Sequence, residues 1–322
     1  MSLILNKLSS EVLLALLTAL VFLVPGGMAH AQSGTRSFQM SLWECCDGRV
    51  PTSADTDIRT FGDGGTQPAG RSIVEPLDWT TPLSTRGYDW SRIVAVEVDE
   101  PYTPVDGDLD FNCSDAPSAA MLAAIAPIDA ALAQRAAELK ALNPKARFWV
   151  NFTAPEGEWM GACATPQVFN RAYIDVISDD YYDVGFEKYV SPFYAILSLY
   201  PAKPDQQFAL FPGVFSAPTN QVQYLQSYFD YANNMNQTCN LPLGSRGITG
   251  IFDRCPVWIV MGWLSGDYQG NTLYRGMLDP NSETIAELWR AELSIPVAPA
   301  LAHQRTPAQI VMPIVNQFLL DN

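Results

Sequence analysis

The chain has 322 residues, with 34 Asp and Glu against 19 Lys and Arg, for a formal charge of −15. So acidic a surface repels phosphate backbones and anionic lipid, which argues against nucleic-acid and membrane-surface partners and leaves neutral ones such as sugars. The two histidines are His30, near the start, and His303, in a Pro-rich tail. Ser-His-Asp, zinc-hydrolase and two-histidine phosphodiester chemistries are therefore disfavoured. If the chain is an enzyme, its proton transfers fall to carboxylates, Tyr, Lys or Arg.

Residues 1–31 read as a leader. Lys7 precedes an apolar run over 12–24, Pro25-Gly26-Gly27 breaks it, and Ala29-His30-Ala31 is a small-x-small cleavage site. Cleavage is expected after Ala31, giving a secreted or periplasmic protein with no membrane insertion afterwards. The remainder, 32–322, is expected to form a single domain with a Pro-rich tail from about 296. Six cysteines (Cys45, Cys46, Cys113, Cys163, Cys239 and Cys255) suit disulfides in an exported chain. Cys239 with Cys255 is the favoured pair, and Cys45 and Cys46 are expected to tie separately to Cys113 or Cys163. Neither CxxC spacing nor a histidine cluster supports a metal site.

Residues 38–44 alternate, with Phe38, Met40 and Leu42 on one face and Gln39, Ser41 and Trp43 on the other, predicting a first strand. From Cys45 to Ser91 the chain reads as a long Gly-, Pro-, Thr- and Asp-rich loop with helical turns near Pro76 to Trp79. Residues 92–99 predict an acidic strand. Val94, Val96 and Val98 share one face; Ala95, Glu97 and Asp99 share the other. Pro101 ends it. Asp106, Asp108 and Asp110 hint at a calcium loop, but Phe111 and Pro117 stand where Gly and Glu belong, so a solvated acidic loop is preferred.

A helix is predicted over 118–142, stopped by Asn143-Pro144. Residues 147–153 predict a strand with Phe148, Val150 and Phe152 on one face and Trp149, Asn151 and Thr153 on the other. Glu156, Glu158, Trp159 and Cys163 follow in a loop. The next strand is predicted over 173–181, with Asp175, Ile177 and Asp179 together on its inner face. Further helices are predicted over 185–200, 218–236 and 280–293, and further strands over 207–215 and 254–264. Asn-x-Ser/Thr sequons occur at Asn112, Asn151 and Asn236.

Strands alternating with helices predict an α/β fold, a (β/α)8 TIM-type barrel, with an open doubly wound parallel sheet as the alternative. Two strands are still missing from a closed barrel. The best places for them are 245–252 and either 72–78 or the tail. No Gly-rich phosphate loop follows any strand, so no nucleotide cofactor is expected. In a barrel the polar strand faces converge on the C-terminal mouth. A mouth of Trp, Asn and carboxylates suits a sugar, because rings stack on sugar faces and two acids can act as proton donor and as nucleophile or base.

The segments 94–102, 148–156, 173–182 and 257–267 together resemble secreted glycoside hydrolases of the (β/α)8-barrel type. Where one large clan of such enzymes carries an Asn-Glu pair, this chain has Asp179-Asp180. The resemblance implies hydrolysis of a glycosidic bond in a poly- or oligosaccharide by a monomer without cofactor or metal. Glu97 or Asp99 would be one catalytic carboxylate and Asp179 or Asp180 the other. Glu100, Glu156 and Glu158 are further acid candidates, although Glu100 is expected to face the helices. Trp43, Trp149, Asn151, Tyr181 and Trp263 would bind the sugar. Two other classes fit the same residues: a non-catalytic carbohydrate-binding protein, and a metal-dependent enzyme with Glu97, Asp99 and Asp179 as oxygen ligands.

Overall fold

The computed structural model describes residues 35–36, 38–45, 54–62, 65–76, 78–102, 119–153, 171–180, 206–212, 221–239, 256–264 and 283–297. Eight strands close into one barrel in chain order: β1 (Gln39–Cys45), β2 (Ile58–Gly62), β3 (Ser72–Glu75), β4 (Ile93–Asp99), β5 (Arg147–Thr153), β6 (Val176–Asp180), β7 (Gln207–Leu210) and β8 (Pro256–Leu264). Every pairing is parallel. The described helices are α1 (Ala119–Leu142) after β4, α2 (Gln221–Cys239) between β7 and β8, and α3 (Glu283–Leu293) after β8. This is a (β/α)8 TIM-type barrel, within a compact unit running from Thr35 to Asn322. The open sheet is excluded because β1 pairs with β8 along its whole length, from Gln39↔Trp258 to Cys45↔Leu264.

The segment 45–91 departs from the single loop expected of it. It contains β2 and β3, and its short 3-10 helices lie at Leu83–Thr85 and Trp90–Arg92 rather than near Pro76. Ser72, Ile73, Val74 and Glu75 are all buried, so β3 shows no apolar–polar alternation. A four-residue strand without alternation is hard to separate from loop by periodicity. β3 stands within 72–78, one of the places expected for a missing strand; 245–252 lies outside the described residues. The acidic strand is therefore the fourth of the barrel, 147–153 the fifth and 173–181 the sixth.

Two cores follow from strand alternation. Between barrel and helices lie Phe38, Met40, Leu42, Val96, Val98, Phe148, Val150, Phe152, Ile177, Ile259 and Met261, met by Ile125, Leu132 and Leu139 of α1 and by Trp289 of α3. Inside the barrel, Ile58, Ile73, Ala95, Trp149, Val176, Ala209, Phe211, Trp258 and Val260 form a packed plug. Full burial of each large apolar side chain contributes about 1.5–3 kcal/mol. Pro127 is tolerated inside α1 because it faces solvent, where the carbonyl it leaves unbonded can meet water.

Polar groups also fasten the described helices to the barrel. Asn143, just past α1, donates from Nδ2 to the carbonyls of Trp90 and Ile93, each at 2.9 Å. Asp129 of α1 accepts from Tyr102 Oη at 2.8 Å, from Tyr173 Oη at 2.9 Å and from Arg171. Tyr102 is itself fully buried and stacks on Phe152. Arg36 is 2% exposed; it pairs with Asp57 and donates to the carbonyls of Phe38, Leu293 and Ile295, joining the start of β1 to the end of α3.

Candidate active site

Near the C-terminal end of the barrel the interior changes from apolar to polar. Glu75 is the last residue of β3, on the face of Ile73; Glu97 and Asp99 share the face of Ala95 on β4. Trp43 projects from β1 and its indole N–H donates to Glu75 Oε2. Glu75 is 6% exposed and Glu97 is 1% exposed. Asp99 is half-buried and accepts a hydrogen bond from Asn151 Nδ2 at 2.9 Å. Deeper on the same wall, Ser178 Oγ donates to Asn151 Oδ1, and Trp149 Nε1 donates to Ser178 Oγ at 2.7 Å. A second buried polar pair, Ser41 Oγ with Thr60 Oγ1 at 2.7 Å, lies on β1 and β2.

The two carboxyls at the strand ends differ in their electrostatics. Burial pushes Glu75 from an ordinary 4.5 up to about 8; the charge on Asp99 adds to the rise and the Trp43 N–H opposes it. Asp99 is also raised by burial, and the Asn151 N–H draws it back down. Charge on Asp99 thus acts to keep the proton on Glu75. Such a pair can deliver a proton to a leaving oxygen while the charged partner stabilises the developing cation, attacks it, or activates water.

Of the residues anticipated from the sequence, Glu97, Asp99, Trp43, Trp149 and Asn151 come together on this wall. Trp149 is fully buried against Phe211 and Trp258, so it serves as wall and hydrogen-bond donor rather than as an open stacking surface. Asn151 is also fully buried, which closes its sequon to glycosylation in the folded chain. Glu100 has a positive φ of 39°, unlike any other described non-glycine residue, and its N–H donates to the Asn151 carbonyl at 2.9 Å. The chain thus leaves β4 on a strained turn instead of continuing the alternation.

The face expected for the sixth strand is reversed. Ile177 lies in the outer core, whereas Val176 and Ser178 face the barrel interior. Asp175 precedes the strand at its N-terminal end, accepts from the Phe148 N–H at 2.9 Å and pairs with Lys140 at 2.8 Å. Its bonding there, not a polar inner face, explains that acid. Backbone pairing sets Asp179 beside Phe152 and Asp180 beside Thr153, and Trp263 beside Glu44. The side chains of Asp179, Asp180 and Trp263 lie outside the described residues, as do Tyr181, Glu156, Glu158, the acidic loop at 106–115 and the cysteine side chains.

Glu75 was missed from the sequence. Its signal was present but weak: an acid closing the short apolar run Ile73-Val74, the same strand-to-acid transition as Val98-Asp99. Among the described residues no cluster of His, Cys, Asp and Glu has the makings of a metal site. No described helix is long and apolar enough to cross a membrane. Fold and side chains define the class: a parallel (β/α)8 barrel with paired carboxyls at its C-terminal mouth. No protein-family model matches the chain, and no curated protein matches its sequence.

Proposed function

We infer that this protein is an exported glycoside hydrolase that cleaves a glycosidic bond in a poly- or oligosaccharide. What carries it is the Glu75–Asp99 pair at the ends of β3 and β4: burial and the charge on Asp99 raise Glu75 to about 8, and Asp99 accepts a hydrogen bond from Asn151. In this mechanism Glu75 gives its proton to the glycosidic oxygen as the C1–O bond breaks. Asp99 then either attacks C1 or takes a proton from the water that does so. Trp43, half-buried at the mouth, orients Glu75 through its N–H and offers the remaining ring to a sugar face. Glu97, and Asp179 or Asp180, are the other carboxylates to be weighed as partners by substitution. The acidity of the whole chain suits a neutral glycan.

The test is release of new reducing ends from a broad panel of neutral and amino-sugar oligosaccharides. Glu75→Gln and Asp99→Asn are each expected to lower kcat by about 10²–10⁴-fold with KM little changed. Glycan binding that survives both substitutions, with no turnover by the unmodified chain on any substrate, would replace hydrolysis by the carbohydrate-binding alternative. Activity abolished by chelator would instead favour the metal-dependent alternative.

A further inference from the structure

The wall behind Asp99 is a hydrogen-bond chain with a fixed direction. An indole Nε1–H only donates. Trp149 Nε1 occupies one lone pair of Ser178 Oγ at 2.7 Å, which frees the Ser178 proton for Asn151 Oδ1. With Oδ1 engaged as acceptor, the Asn151 amide must present Nδ2 to Asp99, and does so at 2.9 Å. The opposite amide orientation would put Oδ1 against Asp99, which would then need a proton of its own to make the bond. Trp149, Asn151 and Ser178 are all fully buried, so water cannot substitute for any link. The start of the chain is locked by packing, since Trp149 is wedged against Phe211 and Trp258 at centroid distances of 6.3 and 5.7 Å.

We propose that Trp149, Ser178 and Asn151 are positioning residues whose one-way hydrogen bonds hold Asp99 as the charged member of its pair with Glu75. Its catalytic value rests on the hydrolase assignment above; its effect on Asp99 does not. The ionisable groups at this end of the barrel whose side chains are described are Glu75 from β3 and Glu97 and Glu100 from β4 and its exit turn; Glu44 near the end of β1 and Asp179 and Asp180 at the end of β6 are acids too. All are acids, so the neighbourhood opposes a charge on Asp99, and the donor from Asn151 works against that opposition. The side chains of Trp149, Asn151 and Ser178, which make this wall on β5 and β6, are neutral. Charge placed on Asp99 keeps the proton on Glu75, as the burial of Glu75 also favours. The chain thus decides which of two neighbouring acids is the donor.

The experiment is a pH titration of the full chain carrying ¹³C-labelled Asp and Glu carboxyls, followed by NMR, for the wild type and Ser178→Ala. The wild type should show Asp99 losing its proton before Glu75. In Ser178→Ala the Asp99 step should rise by about one pH unit or more, tenfold in its acid constant, because nothing then fixes the Asn151 amide. Ser178→Thr, which keeps the hydroxyl, should restore the wild-type order. If Ser178→Ala does not fold, Trp149→Phe removes the first donor while keeping an aromatic ring, and the same rise is expected. An Asp99 step unmoved in a folded variant, or a wild type in which Glu75 ionises first, overturns the proposal. On any substrate that is turned over, the acid limb of kcat should move upward with the Asp99 step while KM stays constant. Absence of turnover with the titration shift intact would remove the hydrolase assignment and leave the hydrogen-bond chain standing.

Discussion

Glu75→Gln tests the buried acid directly, without a substrate. The unfolded chain titrates this group near its ordinary 4.5, whereas in the folded barrel burial and the Asp99 charge raise it to about 8. Between those values the folded state holds a proton that the unfolded state has released. Stability from this group is therefore complete below about pH 4.5 and is lost as pH rises toward about 8. At about 1.4 kcal/mol per pH unit, the loss reaches at most about 5 kcal/mol across the interval. Glutamine cannot ionise but can still accept the Trp43 N–H, so Glu75→Gln should lack this slope. Urea unfolding followed by tryptophan fluorescence, from about pH 5 to about pH 8, should show wild type and variant diverging steadily, with the variant gaining relative stability. Asp99→Asn should shorten the divergence from its alkaline end, because the second cause of the rise is gone. A stability difference that stays constant with pH would refute the buried, uncharged acid and with it the proton-donor role.

Trp43→Phe removes the one hydrogen bond that pulls Glu75 back toward ordinary acidity, so the alkaline limb of the pH–rate profile should move to higher pH; a shift to lower pH would contradict the assignment. Asp57→Ala strands the guanidinium of Arg36, whose side chain is 1% exposed, and should cost about 3–5 kcal/mol of unfolding free energy in urea. Arg36→Met combined with Asp57→Ala should recover part of that loss. Glu100→Gly relieves a positive φ and should raise stability by about 1 kcal/mol. If activity on a responsive glycan falls at the same time, the strain at Glu100 serves the site rather than the fold.

The architecture was largely legible because barrel strands that meet helices on one side and a partly polar interior on the other must alternate. Phe38-Met40-Leu42, Val96-Val98 and Phe148-Val150-Phe152 are such patterns, and β1, β4 and β5 stand where they predict; Val94, expected beside Val96, packs instead against the inner cluster where the β3–β4 register shifts. Helices α1, α2 and α3 were legible from their capping and composition to within a few residues at each end. Where alternation failed, so did the sequence. β2 is five residues long and disappeared into an apparent loop; β3 is buried on both faces, so 72–78 was legible only as one of two places for a missing strand, and Glu75 was not read as a site residue.

By itself the sequence determined the periodic strands, the scarcity of histidine that turns attention to carboxylates, and the place of Glu97 and Asp99 on the inner face of their strand. Only the tertiary structure decided which acids meet. Parallel pairing of β1, β2 and β3 brings Trp43 to Glu75, and the β3–β4–β5–β6 register brings Glu75, Asp99, Asn151 and Ser178 onto one wall. It also turned Ile177 outward and left Asp175 at the N-terminal end, bonded to Lys140. The physical reason is that a carboxyl's acidity and role depend on burial and on neighbours from other strands, which sequence spacing does not encode.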